Sequence, residues 1–159
     1  MGSIAQTVIN LLKHTEHLEG GFAVNQLVHN LQSGWLAEQA GEDDEVVVAC
    51  VIHDIGKVIS KPNHSNIVAE IAKPFVRPDV YNMLLAHQDF EGRFYYKYVN
   101  KNPDEYKKHI GKSYYELTKR FSDEYDQKAF DPNGYTPPLE HFIPKIEKIF
   151  ACPKYEYDH

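Results

Sequence analysis

The sequence predicts an all-α fold, a single compact helical bundle. Apolar residues recur mostly at helix spacing, glycine and proline mark the breaks, and no segment alternates clearly as a strand would. The chain has 159 residues, 42% of them hydrophobic, which is enough to bury one core. Because no repeat, low-complexity tract or long linker divides it, residues 1–159 are predicted to form one domain, with its core at about residues 22–150.

The first two helices follow from the apolar spacing. Residues 4–12 form a short N-terminal helix, and Gly20 and Gly21 then break the chain. The segment AVNQLVHNLQSGWLAEQAG places its apolar side chains on one broad face, with His29 beside that face. This second helix ends at Gly41, a favourable residue just beyond a helix C-terminus.

The third element is ambiguous between a strand and a helix. Residues 46–52 form an unbroken apolar run rich in β-branched side chains, as a buried strand would. The acidic residues 42–45 before it favour a helix N-terminus, where carboxylates cap free N–H groups and complement the helix dipole. We therefore predict a helix that is buried on all sides and stopped by Gly56.

Proline marks the remaining helix boundaries. Pro74 ends a fourth helix, and Pro78 begins a fifth. Two aromatic-rich segments and a proline-marked loop follow, before a last helix at residues 145–150. The tail CPKYEYDH is predicted to be mobile.

Charge and cysteine content exclude several classes of function. The net charge is −6 and the basic residues are scattered among acids, which argues against nucleic acid or an anionic membrane as a partner. No segment approaches a membrane span, and the first residues lack the features of a secretion signal, so we expect a cytoplasmic protein. Cys50 and Cys152 lack metal-site spacing and are expected to be reduced.

Polar residues at or near the predicted helix ends form the candidate site. They are His29, His53 with Asp54, His64, His87 and an aspartate of SDEYDQ. Helices packed around one core direct such side chains into a shared volume. Imidazole and carboxylate ligands without thiolate suit Fe, Mn, Zn or Ni, so a buried metal site is expected. Adjacent helical residues project about 100° apart. Asp54 could therefore span two ions while His53 binds one.

The order of these residues resembles the HD-domain superfamily, an all-α group of metal-dependent enzymes, over roughly residues 26–142. Within it, NQLVHNLQ and HDIGK are similar to the small mixed-valent diiron oxygenases, the group of myo-inositol oxygenase and the phosphonate-degrading oxygenases. The resemblance implies two iron ions, Fe(II) and Fe(III), with Asp54 as the bridging ligand. The implied ligands are His29, His53, Asp54, His64, His87 and one distal aspartate.

The distal aspartate has three candidates, Asp123, Asp126 and Asp131. The family usually places an aromatic residue before this ligand and a polar residue after it. The match is Tyr125, Asp126 and Gln127, so Asp126 is the predicted ligand.

The resemblance also suggests substrate-binding residues. Lys57 matches the lysine that myo-inositol oxygenase keeps after its HD motif, and a cation beside the metals favours an anionic or alkoxide ligand. We expect Asp54 and Lys57 to be catalytic, and Lys57, Gln88 and Arg93 to hold the substrate. Gln26, one turn before His29, could contact the substrate or orient His29. For Arg93 the alternative is a surface ion pair or a position over an aromatic ring.

The preferred hypothesis is therefore an oxygenase that uses O₂ to oxidise and cleave a small hydroxylated anion such as a phosphonate. The rival enzyme class is a phosphohydrolase acting on a phosphomonoester or nucleotide, with Mn, Zn or Ni as alternative metals. A third hypothesis is a non-catalytic module that binds a small molecule. The oligomeric state does not follow from the sequence.

Overall fold

A computed structural model describes residues 3–18 and 21–155, and this part of the chain is helical without any strand. Short 3₁₀ turns and one π-helical stretch join the helices. The α-helices are α1 (Ile4–His14), α2 (Gln26–Gln39), α3 (Asp44–Ile52), α4 (His64–Ala72), α5 (Pro78–Tyr95), α6 (Tyr115–Arg120) and α7 (Ile143–Ile149). The prediction of an all-α fold is confirmed. The predictions for Gly20 and for residues 156–159 lie outside the described residues.

The ambiguous apolar run forms α3, and it is buried on every side. Residues 46–52 have no exposed surface, so the helix needs no polar face. Its start is defined by Asp43, whose carboxylate accepts a hydrogen bond from the Val46 N–H at 3.1 Å. Such a cap contributes about 0.5–2 kcal/mol to the stability of the helix. The helix ends at Ile52, earlier than the predicted stop at Gly56.

Two glycines lie where the backbone requires them. Gly41 follows α2 with φ of +83°, so its prediction as the residue beyond the helix end is confirmed. Gly56 lies in a 3₁₀ turn (Ile55–Val58), where an added Cβ would overlap the backbone of His64. This close approach brings the segment after α3 against the first turn of α4.

The other predicted boundaries agree with the structure in most respects. Helix α5 begins at Pro78, as predicted, and α4 ends two residues before Pro74. In the tail, the N–H groups of Lys154 and Tyr155 donate to the Pro74 carbonyl at 2.9 and 3.2 Å. The chain is therefore attached to the domain as far as Tyr155, and the mobility predicted for the tail does not extend to these two residues.

Neither cysteine takes part in a disulfide, Cys50 being buried and Cys152 exposed. Within residues 3–18 and 21–155, no helix combines the length and the apolar character needed to cross a bilayer.

Close packing of α2 against α3 generates a stability prediction. A Cβ at Gly34 would overlap Cγ2 of Val51 and lie 3.2 Å from the Phe142 ring. Gly34→Ala should therefore lower the free energy of unfolding by about 1–3 kcal/mol. In an unobstructed helix, the same change would raise it by about 1 kcal/mol.

Urea unfolding of a double-mutant cycle checks the cause. Val51→Ala removes the obstructing methyl groups, so Gly34→Ala/Val51→Ala should be less destabilised than the sum of the two single variants. Strict additivity would show that Val51 does not cause the effect.

Candidate metal centre

Six buried side chains converge from separate elements and form two adjoining groups. The first group is His29, His53 and Asp126, and the second is Asp54, His64 and His87. Within each group the ligand atoms lie within 4.8 Å of one another, a spacing that could hold a metal ion. The structure thus brings together all six residues that the sequence suggested as ligands.

The elements explain this convergence. His29 lies in α2 and His87 in α5, while His64 is the first residue of α4. The buried helix α3 ends at Ile52, so His53 and Asp54 follow it directly into the core.

Asp54 faces both groups, one with each carboxylate oxygen. Its Oδ2 lies 3.5 Å from Nε2 of His29 and 3.3 Å from Nε2 of His53. Its Oδ1 lies 3.4 Å from Nε2 of His64 and 3.7 Å from Nε2 of His87. A single carboxylate is therefore placed to contact two ions at once.

Backbone carbonyl groups define the tautomer of all four imidazoles. A carbonyl oxygen only accepts hydrogen bonds, so each Nδ1 must carry the proton, and the neutral ring presents an Nε2 lone pair to the centre. The four bonds are His29 to Ala129 at 3.0 Å, His53 to Cys50 at 2.7 Å, His64 to Lys61 at 2.8 Å and His87 to Leu84 at 2.6 Å.

The facing atoms fit a bound cation. The Nε2 atoms of His29 and His53 are 3.1 Å apart, as are those of His64 and His87. Two lone pairs repel at this distance unless a proton or a metal ion lies between them. Asp126 places Oδ1 2.9 Å from His29 Nε2, while its buried Oδ2 has no hydrogen-bond partner among the described residues. Nitrogen and oxygen ligands of this kind suit Fe, Mn, Zn or Ni.

The pKa values differ between the two groups, because the carboxylates favour positive charge at His53 whereas burial disfavours it at His64. Burial would lower the pKa of His53, but Asp54 and Asp126 outweigh burial and raise it well above its ordinary value. Burial opposes the charge of Asp126, yet His53 and His29 hold its pKa below the ordinary range. Burial and neighbouring His87 lower the pKa of His64 to about 4, so this ring is neutral at pH 7.

Asp126 is the distal aspartate that reaches the centre. It is the last residue of a π-helical segment (Phe121–Asp126) that continues α6, and such segments occur often at functional sites. Asp123 instead contacts Arg93 and Lys119. Asp131 accepts a hydrogen bond from the N–H of Asn133 in an exposed turn.

A cavity of about 570 Å³ opens onto the centre and is lined by Lys57 and Gln88, among others. Lys57 Nζ donates to Asp54 Oδ2 at 3.1 Å and to Gln26 Oε1 at 3.4 Å. Gln88 accepts a hydrogen bond from the Ser65 hydroxyl at 3.2 Å. Gln26 is buried and does not itself line the cavity, so it contacts Lys57 from behind.

Arg93 does not line this cavity. Its guanidinium donates to Asp123 Oδ1 at 2.6 Å and to the Ser122 hydroxyl at 3.0 Å, and it lies over the Phe94 ring. The structure thus agrees with the alternative for Arg93, because its guanidinium forms an ion pair with Asp123 and lies over an aromatic ring. We do not retain it among the candidate substrate-binding residues.

The cavity is also lined by residues that were not predicted from the sequence. Glu91 lies one turn after His87 in α5 and accepts a hydrogen bond from the Ser122 hydroxyl at 2.8 Å. Burial, together with the charge of Asp126, raises the pKa of Glu91 to about 9. Glu91 could have been found from the sequence, because its spacing of four residues from His87 places the two side chains on the same face of a helix. Phe130 stacks on the His29 ring with centroids 3.9 Å apart, and no local pattern indicates this contact.

The fold and the site define an all-α protein with a buried His/Asp centre suited to metal. The chain belongs to the HD-domain family, because the model of the HD domain matches residues 27–126. This range includes every residue of the two groups, and the family is one of metal-dependent enzymes. No curated protein matches the chain.

The presence of two ligand groups predicts how substitutions change the number of metal ions bound to each chain. Asp126→Asn should weaken binding of one ion per chain, whereas Asp54→Asn should weaken binding of both, because Asp54 faces both groups. Elemental analysis after dialysis against Mn²⁺ measures the ratio of ion to protein. Asp131→Asn is the matched control and should bind as the wild type does. Equal losses in the Asp54 and Asp126 variants would contradict the division into two groups.

Proposed function

We propose that the protein is a dinuclear metal enzyme in which Asp54 bridges two ions. The observation that carries this proposal is the division of the Asp54 oxygens between two pairs of imidazole lone pairs. A mononuclear site would need only one of these pairs. The cavity above the centre gives a small molecule access to both positions.

Within this class we propose a non-haem diiron oxygenase. The support is the resemblance of the segments around His29 and His53 to the mixed-valent diiron oxygenases, together with a ligand set of four imidazoles and two carboxylates without thiolate. A bound Fe(II)/Fe(III) pair would supply the binding and reduction of O₂. The residues of the chain hold the substrate and limit the entry of water.

Charge favours a small anionic substrate. The carboxylates of Asp54 and Asp126 offset only part of the charge of two such ions, and Lys57 adds a cation beside Asp54. Lys61 and Lys101 also line the cavity. A hydroxylated phosphonate fits this charge, with its anionic group at Lys57 and its hydroxyl directed to the centre.

The other contacts around the cavity have supporting roles. Gln26 holds the Lys57 ammonium from behind, and Gln88 offers an amide to the substrate. Phe22 stacks on Phe130 with centroids 4.8 Å apart, and both rings line the cavity. These rings shield His29 from bulk water.

The second candidate is a phosphohydrolase, because three lysines around a metal centre also suit a phosphoester. In that reaction a metal-activated water would be the co-substrate, and Mn, Zn or Ni would serve as well as iron. Oxygen uptake separates the two reactions, since hydrolysis consumes none.

Anaerobic iron reconstitution tests the proposal directly. Partial oxidation should produce the electron paramagnetic resonance signal of a mixed-valent iron pair, and 1-hydroxyalkylphosphonates should cause O₂ uptake. The Zn²⁺-loaded protein should then be inactive. Hydrolysis of nucleotides or p-nitrophenyl phosphate without O₂ uptake, by a protein lacking the signal, would overturn the oxygenase in favour of the phosphohydrolase.

Lys57 gives a second test of the substrate charge. Lys57→Gln should raise KM for the anionic substrate by about 10- to 100-fold, because a charged hydrogen bond contributes about 1.5–3 kcal/mol. Lys112→Gln changes an exposed lysine that does not line the cavity, and it should leave KM unchanged. Steady-state kinetics of both variants makes the comparison. An unchanged KM in Lys57→Gln would exclude Lys57 from substrate binding.

A further inference from the structure

The π-helical segment that carries Asp126 is attached to α5 through Arg93, and also through the Ser122 hydroxyl, which donates to Glu91 at 2.8 Å. The Nη2 atom of Arg93 donates to the Ser122 hydroxyl at 3.0 Å and to Asp123 Oδ1 at 2.6 Å. The Nε atom donates to the Phe90 carbonyl at 2.8 Å. One guanidinium thus joins the body of α5 to two successive residues in the first half of the π-helical segment.

This segment differs in geometry from the α-helices that carry other ligands. It continues α6, and its six residues have the wide turns of a π-helix. Its backbone closes with a wide turn, in which the Gln127 N–H donates to the Ser122 carbonyl at 3.0 Å. Turns of this kind are rare and occur mostly as single turns inside α-helices. The position of Asp126 therefore depends on what holds the segment from outside.

The Arg93 side chain is itself held in place. Its side chain is 16% exposed, and the guanidinium carbon lies 5.4 Å from the centre of the Phe90 ring and 5.0 Å from that of Phe94. A rigid planar fork packed in this way loses little further freedom in making its hydrogen bonds. Arg93 therefore differs from Lys119, whose exposed ammonium reaches Asp123 and no other carboxylate in the described part of the chain.

We propose that Arg93 is a positioning residue that sets the metal affinity of the His29, His53 and Asp126 group. By holding Ser122 and Asp123 against α5, it directs the Asp126 carboxylate at the two imidazoles. The Asp54, His64 and His87 group contains no residue of the segment, so its affinity does not depend on Arg93. The assignment rests on the proposed dinuclear function, because it requires two metal positions that can be told apart.

The test is a Mn²⁺ titration of metal-free protein by calorimetry, combined with electron paramagnetic resonance of the loaded samples. Arg93→Leu keeps an apolar stem over the aromatic rings but removes the fork. It should weaken one of two affinities by about 10- to 100-fold, as loss of partners that orient metal ligands generally does. At limiting Mn²⁺, the resonance of a coupled ion pair should give way to that of an isolated ion.

Two further variants sharpen the comparison. Arg93→Lys keeps the charge but cannot reach Ser122 and Asp123 together, so it should restore only part of the affinity. Lys119→Leu removes the other cation on Asp123 and should retain both affinities and the coupled signal. In all these variants the Tyr125 hydroxyl still donates a hydrogen bond to Glu42 at 2.9 Å, so the segment stays attached on its other side.

The outcomes distinguish the assignment from the function on which it rests. If the wild-type protein binds fewer than two ions, the dinuclear function fails and the assignment fails with it. If the wild type binds two ions and Arg93→Leu keeps both affinities, or weakens both equally, only the role of Arg93 is overturned. Should Arg93→Leu not fold, Asp123→Ala removes the shorter of the two contacts between the guanidinium and the segment, and the same selective loss is expected. Unchanged affinities in a folded Asp123→Ala protein would then overturn the assignment.

Discussion

The structure depends on one electrostatic constraint, the convergence of two carboxylates and four imidazole lone pairs in a buried volume. Each imidazole has its Nδ1 proton committed to a backbone carbonyl, so no ring can donate a proton to its neighbour without gaining a charge. Such an arrangement is costly in an apolar interior unless positive charge compensates it. Bound metal ions would meet this condition.

The apolar contacts of the surrounding helices offset the free-energy cost of burying these polar groups. Helix α3 is enclosed on all sides, and its burial stabilises the element that ends at the His53 and Asp54 pair. Gly56 then lets the following turn approach the backbone of His64, so that two ligand-bearing segments meet. The apolar core and the polar centre are therefore not independent, because α3 contributes to both.

The candidate metal ligands differ in the kind of element that holds them in place. Five of the six candidate ligands lie in or directly after α-helices, while Asp126 lies in a π-helical segment supported by side chains. Lys57 is likewise held by its neighbours, between Asp54 and Gln26. The His29, His53 and Asp126 group therefore includes one residue from a π-helical segment, whereas the Asp54, His64 and His87 group includes none.

Local pattern was sufficient for much of the fold. Acidic residues before residues 46–52 indicated a helix in spite of the β-branched run, because capping and the helix dipole act within one turn. Proline at the start of α5 and glycine after α2 marked boundaries for equally local reasons. The six ligands, by contrast, were suggested by the resemblance of this order of histidines and aspartates to a known family.

The sequence by itself determined the helical class, the course of the chain and the types of ligand atom. Only the tertiary structure decided which side chains share a volume. It placed Glu91 on the cavity and turned Arg93 towards Ser122 and Asp123, although the two residues are only two positions apart in the sequence. It also divided the Asp54 oxygens between two groups. The physical reason is that the direction of a side chain depends on how helices cross and pack, which spacing along one chain does not specify.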